Sequence, residues 1–244
     1  MRPEFVQYVE LIIPPFSLIW VFVFLLPPKA FPLRLAAQIF AFIFVRDAMI
    51  STRMWTITPD FSLTFIDDAE SLFLVSLSSI FMASMIYYTN KDSAKIILFR
   101  QSTRSCLRAG IMTSLLIYVP VYFLKNNMGA ARETISYDYP LLCGNLALTL
   151  CGNLVEELLF RSCLASYLKK MDVMELHSAL LQASAFAIYH MYLAYMVTSC
   201  GWLLLVFTFW EGLVCALLQQ RYGLVSATLA HGLAIFYITI NLLR

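Results

Sequence analysis

Eight apolar stretches, each close to the length that crosses a bilayer as a helix, follow one another along this chain at about 8–27, 32–50, 69–88, 109–124, 139–165, 176–198, 201–219 and 223–243. A hydrocarbon core about 30 Å thick takes roughly 20 helical residues to span, and a lipid-exposed backbone must satisfy its own N–H and C=O groups, which a helix does. The second stretch carries Arg34 and Arg46, and the count falls to seven without it. Pro14-Pro15 interrupt the first run and no small-residue cleavage site follows, so a retained span is a simpler reading than a signal peptide. The expected fold is all-α: a polytopic transmembrane helical bundle in a single membrane domain over 1–244, with N-terminal spans and a basic cytoplasmic loop in 1–108 and nearly continuous helix over 139–244.

Composition agrees with a lipid solvent. The chain is 61% apolar and 13% charged, with a mean hydropathy of +0.76, whereas a soluble domain carries roughly 25% charged residues. The net charge of +2, from 17 basic and 15 acidic residues, is too balanced for a nucleic-acid partner. Six cysteines lie mostly in apolar runs without a CxxC pair, and read as small core residues. No repeat, low-complexity tract or loop long enough for a soluble domain is present. Lys91, Lys95, Arg100, Arg104 and Arg108 face a single acid, Asp92, so the positive-inside rule puts that loop in the cytoplasm, with Lys169, Lys170 and Arg221. Both termini and the acidic cluster Asp67, Asp68 and Glu70 then lie outside.

Charges inside apolar helices carry the functional information. A carboxylate or guanidinium at a helix centre costs about 2.5–3.5 kcal/mol on insertion scales, so it faces the bundle interior with a partner. In Asn153-Leu-Val-Glu156-Glu157-Leu-Leu-Phe-Arg161, Glu157 and Arg161 stand four apart with the acid first, the favourable order for an intrahelical ion pair. Arg161 alternatively holds a substrate carboxylate. Glu156 is rotated about 100° away, onto the face of Asn153 and Phe160, and needs a partner from another helix. Two of the three histidines, His190 and His231, sit deep in later apolar runs, and Ser226, Ala227, Ala230 and Ala234 around His231 allow close approach of a neighbouring helix. Glu211 is a further intramembrane acid. It lines a substrate path, pairs with Arg161 or makes a polar contact within the bundle.

A buried carboxylate beside an imidazole can hold and deprotonate a water, and a second imidazole can stabilise the oxyanion of a tetrahedral intermediate. That inventory suits peptide hydrolysis. Ser162 and Cys163 lack any nucleophile elbow.

Three motifs resemble those of the CAAX-protease and bacteriocin-processing (CPBP) membrane proteins, which include the Ras-converting CAAX endopeptidases and the Abi proteins. The EExxxR motif is Glu156-Glu157-Leu-Leu-Phe-Arg161, FxxxH is Phe186-Ala-Ile-Tyr-His190, and the third-motif histidine is His231. The resemblance covers roughly 145–240 and makes 139–244 a CPBP-like catalytic core. It implies that Glu156 and His190 activate water, that His231 holds the oxyanion, and that Glu157 and Arg161 support them, without a cofactor. The family asparagine four residues after the last histidine is Ile235 here. That departure favours a prokaryotic processing or sorting-tail protease, multi-pass in a bacterial inner membrane rather than the ER, acting on a membrane protein or on a lipidated or peptide substrate. The alternatives are a zinc protease with Glu156, His190 and His231 as ligands, a non-catalytic bacteriocin-immunity or scaffold protein, and a transporter relaying protons through its acids.

Overall fold

A computed structural model describes residues 2–58, 62–128, 138–198 and 200–242. Its helices are α1 (Pro3–Leu25), α2 (Phe31–Ser51), α3 (Ala69–Asn90), α4 (Thr103–Met128), α5 (Tyr139–Glu157), α6 (Ala165–Lys170), α7 (Glu175–Tyr189), α8 (Trp202–Tyr222) and α9 (Leu224–Ile240). α5 runs on through Leu158–Leu164 into α6, and α7 is followed by Leu193–Val197, both linking stretches wound at the wider π pitch. Each of the eight apolar runs is therefore helical, although residue 243 of the last lies outside the described residues. Six helices are long and apolar enough to cross a membrane. α2, with Arg34, Arg46 and Asp47, and α9, with 17 residues, fall outside that set. The protein is a multi-pass helical membrane protein.

Local chemistry accounts for the helix ends and interiors. Asp138 caps α5 by accepting from the Leu141 N–H at 2.8 Å, with Pro140 in the first turn where no N–H is needed. Pro14 and Pro15 sit inside α1 without ending it. Hydroxyls inside helices donate one turn back to carbonyls, Ser76 to Leu72 at 2.7 Å and Thr89 to Met85 at 2.8 Å. A hydroxyl in an apolar medium thus keeps a partner without leaving its helix. Lipid gives no hydrophobic drive for helix association, so packing decides it, and small residues let backbones approach. A Cβ on Gly110 of α4 would stand 2.9 Å from the Ser226 carbonyl of α9, and one on Gly232 of α9 would stand 3.1 Å from the Thr149 carbonyl of α5. Ser226, Ala227, Ala230 and Ala234 are all fully buried in that packing.

The all-α expectation omits one element. Between α2 and α3, β1 (Trp55–Ile57) and β2 (Leu63–Phe65) pair antiparallel with Trp55 opposite Phe65, Thr56 opposite Thr64 and Ile57 opposite Leu63. Strand alternation puts Trp55, Ile57, Leu63 and Phe65 on one face, towards the bundle, while Thr56 and Thr64 join hydroxyls across the other at 2.7 Å.

The hairpin marks one end of the bundle, where Arg2 donates to the Asp67 carbonyl at 3.1 Å. At the opposite, basic end, the segment before α4 is bonded to the α8–α9 junction: Leu224 N–H to the Ile97 carbonyl at 2.9 Å and Arg100 N–H to the Tyr222 carbonyl at 3.0 Å. Gly223, at φ +101°, makes that junction; a Cβ there would meet the Leu98 carbonyl oxygen at 2.6 Å. Among the described residues three apolar clusters fill the bundle, one around Tyr8, Trp55, Leu72, Leu148 and Ile238 at the hairpin end, one around Trp20, Ile86, Leu159, Phe186 and Leu224 at the basic end, and a smaller one of Ile117, Cys215, Leu218 and Ala227 between α4, α8 and α9.

Candidate active site

Glu156 and Glu157 occupy the last turn of α5, immediately before the wide stretch at Leu158–Leu164. Such π turns recur at functional sites, because the extra residue re-aims the side chains around it. The two neighbouring carboxylates diverge as their 100° rotation requires. Glu157 is fully buried and makes an ion pair with the fully buried Arg161, Nε to Oε2 at 3.2 Å. Its other oxygen accepts from His231 Nδ1 of α9 at 2.9 Å. The pairing with Arg161 therefore explains only half of this carboxylate. Arg161 lies over the Phe186 ring, 4.5 Å from its centroid, and does not line the cavity described below, so the geometry gives no support to its holding a substrate carboxylate.

Glu156 finds its partners on other helices. The Tyr189 hydroxyl of α7 donates to Oε1 at 3.4 Å, and His231 Nε2 stands 3.7 Å from Oε2. His190 follows α7 at its C-terminal end, and its Nδ1 lies 2.8 Å from the Phe186 carbonyl. A carbonyl only accepts, so Nδ1 carries the hydrogen and a neutral His190 presents Nε2 as a bare acceptor. At His231 both ring nitrogens face carboxylates, Nδ1 that of Glu157 and Nε2 those of Glu156 and of Glu211, whose Oε1 is at 3.5 Å; carboxylates only accept, so here, unlike at His190, both nitrogens carry a hydrogen. Phe186 is the hub of the packing, with ring centroids 4.6 Å from His190 and 5.6 Å from His231. The phenylalanine of the FxxxH motif thus spaces the two imidazoles.

Glu156, His190, His231 and Glu211 all line one cavity of about 160 Å³. On the measure by which a single water takes about 10–15 Å³, it holds several waters or a water and a side chain. Arg46, Asn153 and the hydroxyl-bearing Ser79, Thr149 and Thr208 complete its polar part, while Phe42, Met49, Trp55, Val75, Leu148 and Phe207 form much of the apolar wall. Ile235, at the position of the family asparagine, lines it too.

Arg46 is the residue the sequence reading passed over. Its Nε pairs with Asp47 Oδ1 at 2.8 Å, its guanidinium lies 4.2 Å above the Tyr189 ring, and its two terminal nitrogens make no hydrogen bond among the described residues. Its signal in the sequence is the charged pair Arg46-Asp47 in an otherwise apolar run. The hairpin wall was also missed, although Trp-Thr-Ile-Thr-Pro-Asp-Phe-Ser-Leu-Thr-Phe alternates around a Pro-Asp turn signal.

Among the described residues, the acid, thiol and imidazole atoms that lie within 4.8 Å of one another belong to Glu157, Cys215 and His231, a different set from the zinc ligands considered above. Glu157 already bonds both Arg161 and His231, and a guanidinium beside a cation site is repulsive, so these groups fit an internal ion-pair network better than a metal.

A family model described as type II CAAX prenyl endopeptidase Rce1-like matches residues 139–237, the segment that holds all three motifs. No curated protein and no solved structure matches the chain.

Proposed function

We propose that this multi-pass membrane protein, Rce1-like over residues 139–237, is an intramembrane endopeptidase that cleaves a membrane-associated protein or peptide with a water activated by Glu156. One observation carries the reading: Glu156, His190 and His231, from three separate helical segments, converge on a single cavity walled with apolar side chains. A lone intramembrane acid or histidine has structural uses. An acceptor imidazole, a carboxylate and a second imidazole backed by its own carboxylate form a set with hydrolytic chemistry.

In this mechanism the Glu156 carboxylate takes one proton from water while His190 Nε2 accepts the other hydrogen and holds the oxygen in place. The water oxygen bonds to the carbonyl carbon as the C=O electron pair moves onto oxygen. His231 Nε2–H donates to that oxyanion, with Glu157 keeping the ring oriented through Nδ1, the role an acid plays behind a histidine in hydrolase triads. Glu156 then delivers its proton to the departing nitrogen as the C–N bond breaks, giving a carboxylic acid and an amine. Arg46, over the Tyr189 ring, supplies two donors for substrate carbonyls. With Ile235 in place of the asparagine, the substrate reading is a processing or sorting-tail precursor in a bacterial inner membrane.

Glu156→Gln keeps the side chain's shape and removes its proton acceptor. Processing of membrane proteins, followed by comparing terminal peptides from membranes holding the parent chain or the variant, should fall about 10²–10⁴-fold, the usual contribution of a general base. Insertion of the variant should be unchanged. Full processing by the variant would refute the mechanism.

A further inference from the structure

We propose that the basic end of the bundle carries a second binding site, a hollow on α4 that takes the phosphate of an anionic phospholipid at Arg104 and Arg108 while an acyl chain lies along the apolar face of the same helix. The site is separate from the cavity around Glu156, and shares no residue with it.

A hollow of about 340 Å³ lies where the first turns of α4 meet the C-terminal end of α8. Its polar part is Ser102, Arg104, Ser105 and Arg108, with no carboxylate, and its apolar part is Ala109, Met112 and Tyr222. Arg104 and Arg108 stand one helical turn apart on one face, a spacing at which like charges repel. Neither makes a hydrogen bond or ion pair among the described residues. Arg46 and Arg161, by contrast, each have a carboxylate, at 2.8 and 3.2 Å. Arg221 adds a third guanidinium nearby, 5.5 Å from the Tyr222 ring centroid. Ser102 Oγ accepts the Ser105 N–H at 3.3 Å, so the Ser102 hydroxyl keeps its own hydrogen to donate. Two guanidinium forks with hydroxyls beside them suit the unesterified oxygens of a phosphodiester. An anion there supplies the counter-charge that the protein itself withholds.

The surface beneath the arginines selects a lipid over free phosphate. Continuing from Arg104 and Arg108 at steps of three and four, α4 presents Met112, Leu116, Val119 and Phe123, exposed by 68%, 52%, 39% and 59%. One face of the helix therefore runs from a pair of guanidinium groups to a stripe of apolar side chains that lipid must cover. α4 is long and apolar enough to span from Thr103, which sets its first turns at headgroup depth. Arginine stems lie along apolar surface while their charged ends reach the phosphate layer, and basic pockets at helix ends draw anionic headgroups. An amphiphile with a phosphate at one end and a hydrocarbon chain at the other matches this face along its length.

The test measures lipid bound to the full chain in detergent micelles doped with phosphatidylglycerol or with phosphatidylcholine, counted by native mass spectrometry. Arg104→Gln/Arg108→Gln is compared with Lys91→Gln/Lys95→Gln, which removes two charges from the same end but outside the hollow. The parent and the lysine variant should both prefer phosphatidylglycerol. The arginine variant should lose that preference, its affinity for phosphatidylglycerol falling about 10- to 150-fold, the effect of losing a hydrogen bond to a charged group. Arg108→Gln alone, with a smaller fall in the same direction, serves should the double variant fail to fold. No preference in the parent, retention by the arginine variants, or an equal loss in the lysine variant overturns the proposal. Inorganic phosphate at millimolar concentration should leave the bound lipid in place; displacement by it would make this a site for free phosphate and overturn the assignment to lipid.

Discussion

Glu157 joins two tasks that a pair of substitutions can separate. Its carboxylate neutralises Arg161 at 3.2 Å and holds His231 Nδ1 at 2.9 Å, all within side chains no more than 3% exposed. Removing one partner of a buried ion pair costs about 3–5 kcal/mol, because the remaining charge is left without compensation. Glu157→Gln and Arg161→Met should each lower stability by that amount, two to nearly four powers of ten in the folding equilibrium at about 1.4 kcal/mol per tenfold. The double variant removes both charges and keeps the volume, and such replacements of a buried pair are often neutral. It should recover most of the loss. Activity should not recover with it, since His231 still lacks the carboxylate behind it; a charge-assisted hydrogen bond worth about 1.5–3 kcal/mol corresponds to roughly 10- to 150-fold in cleavage. The assay pairs an unfolding midpoint in detergent micelles with cleavage of a membrane substrate at equal folded protein. Additive stability losses in the double variant would refute the ion pair, and wild-type cleavage by it would refute the support of His231.

Three further outcomes follow from the same geometry. Glu211→Gln weakens a 3.5 Å contact to His231 Nε2 inside the cavity; cleavage should drop about tenfold, the low end for a hydrogen bond to a charged group, with an unchanged unfolding midpoint, and unchanged cleavage would reduce Glu211 to a bundle contact. Gly232→Ala forces a Cβ to 2.8 Å from Leu150 Cδ2 and 3.1 Å from the Thr149 carbonyl, so it should cost about 1–3 kcal/mol of stability, whereas Gly152→Ala, with nothing within 4 Å, should fold as the parent does. Cleavage should survive a strong chelator; its loss on chelation and return with zinc would replace the water-activating carboxylate with a metal.

The spans were legible because lipid enforces one solution for long apolar runs, and the site was legible because charge in such runs is costly enough to need a reason. Glu156, Glu157, Arg161, His190 and His231 all announced themselves in that way. Arg46 did so too, but its role depends on α2 lying against the Tyr189 ring, a contact that no spacing within α2 encodes. The attachment of Glu157 to His231 was hidden for a similar reason: an obvious partner four residues away satisfied the local rule, and its second oxygen was free to bond across 74 positions of sequence. Two three-residue strands are too short to register against eight long apolar runs, although their alternation decides which side chains wall the cavity.

The latch between residues 97–100 and the α8–α9 junction sets how far α9 is drawn towards the basic end, and so the height at which His231 meets α5. The three motifs sit in 139–237, yet their vertical alignment is set by a segment before that range and part of the cavity wall by a hairpin earlier still. Anyone transplanting the three motifs into another helical frame would carry over the reagents and leave behind the jig that holds them level.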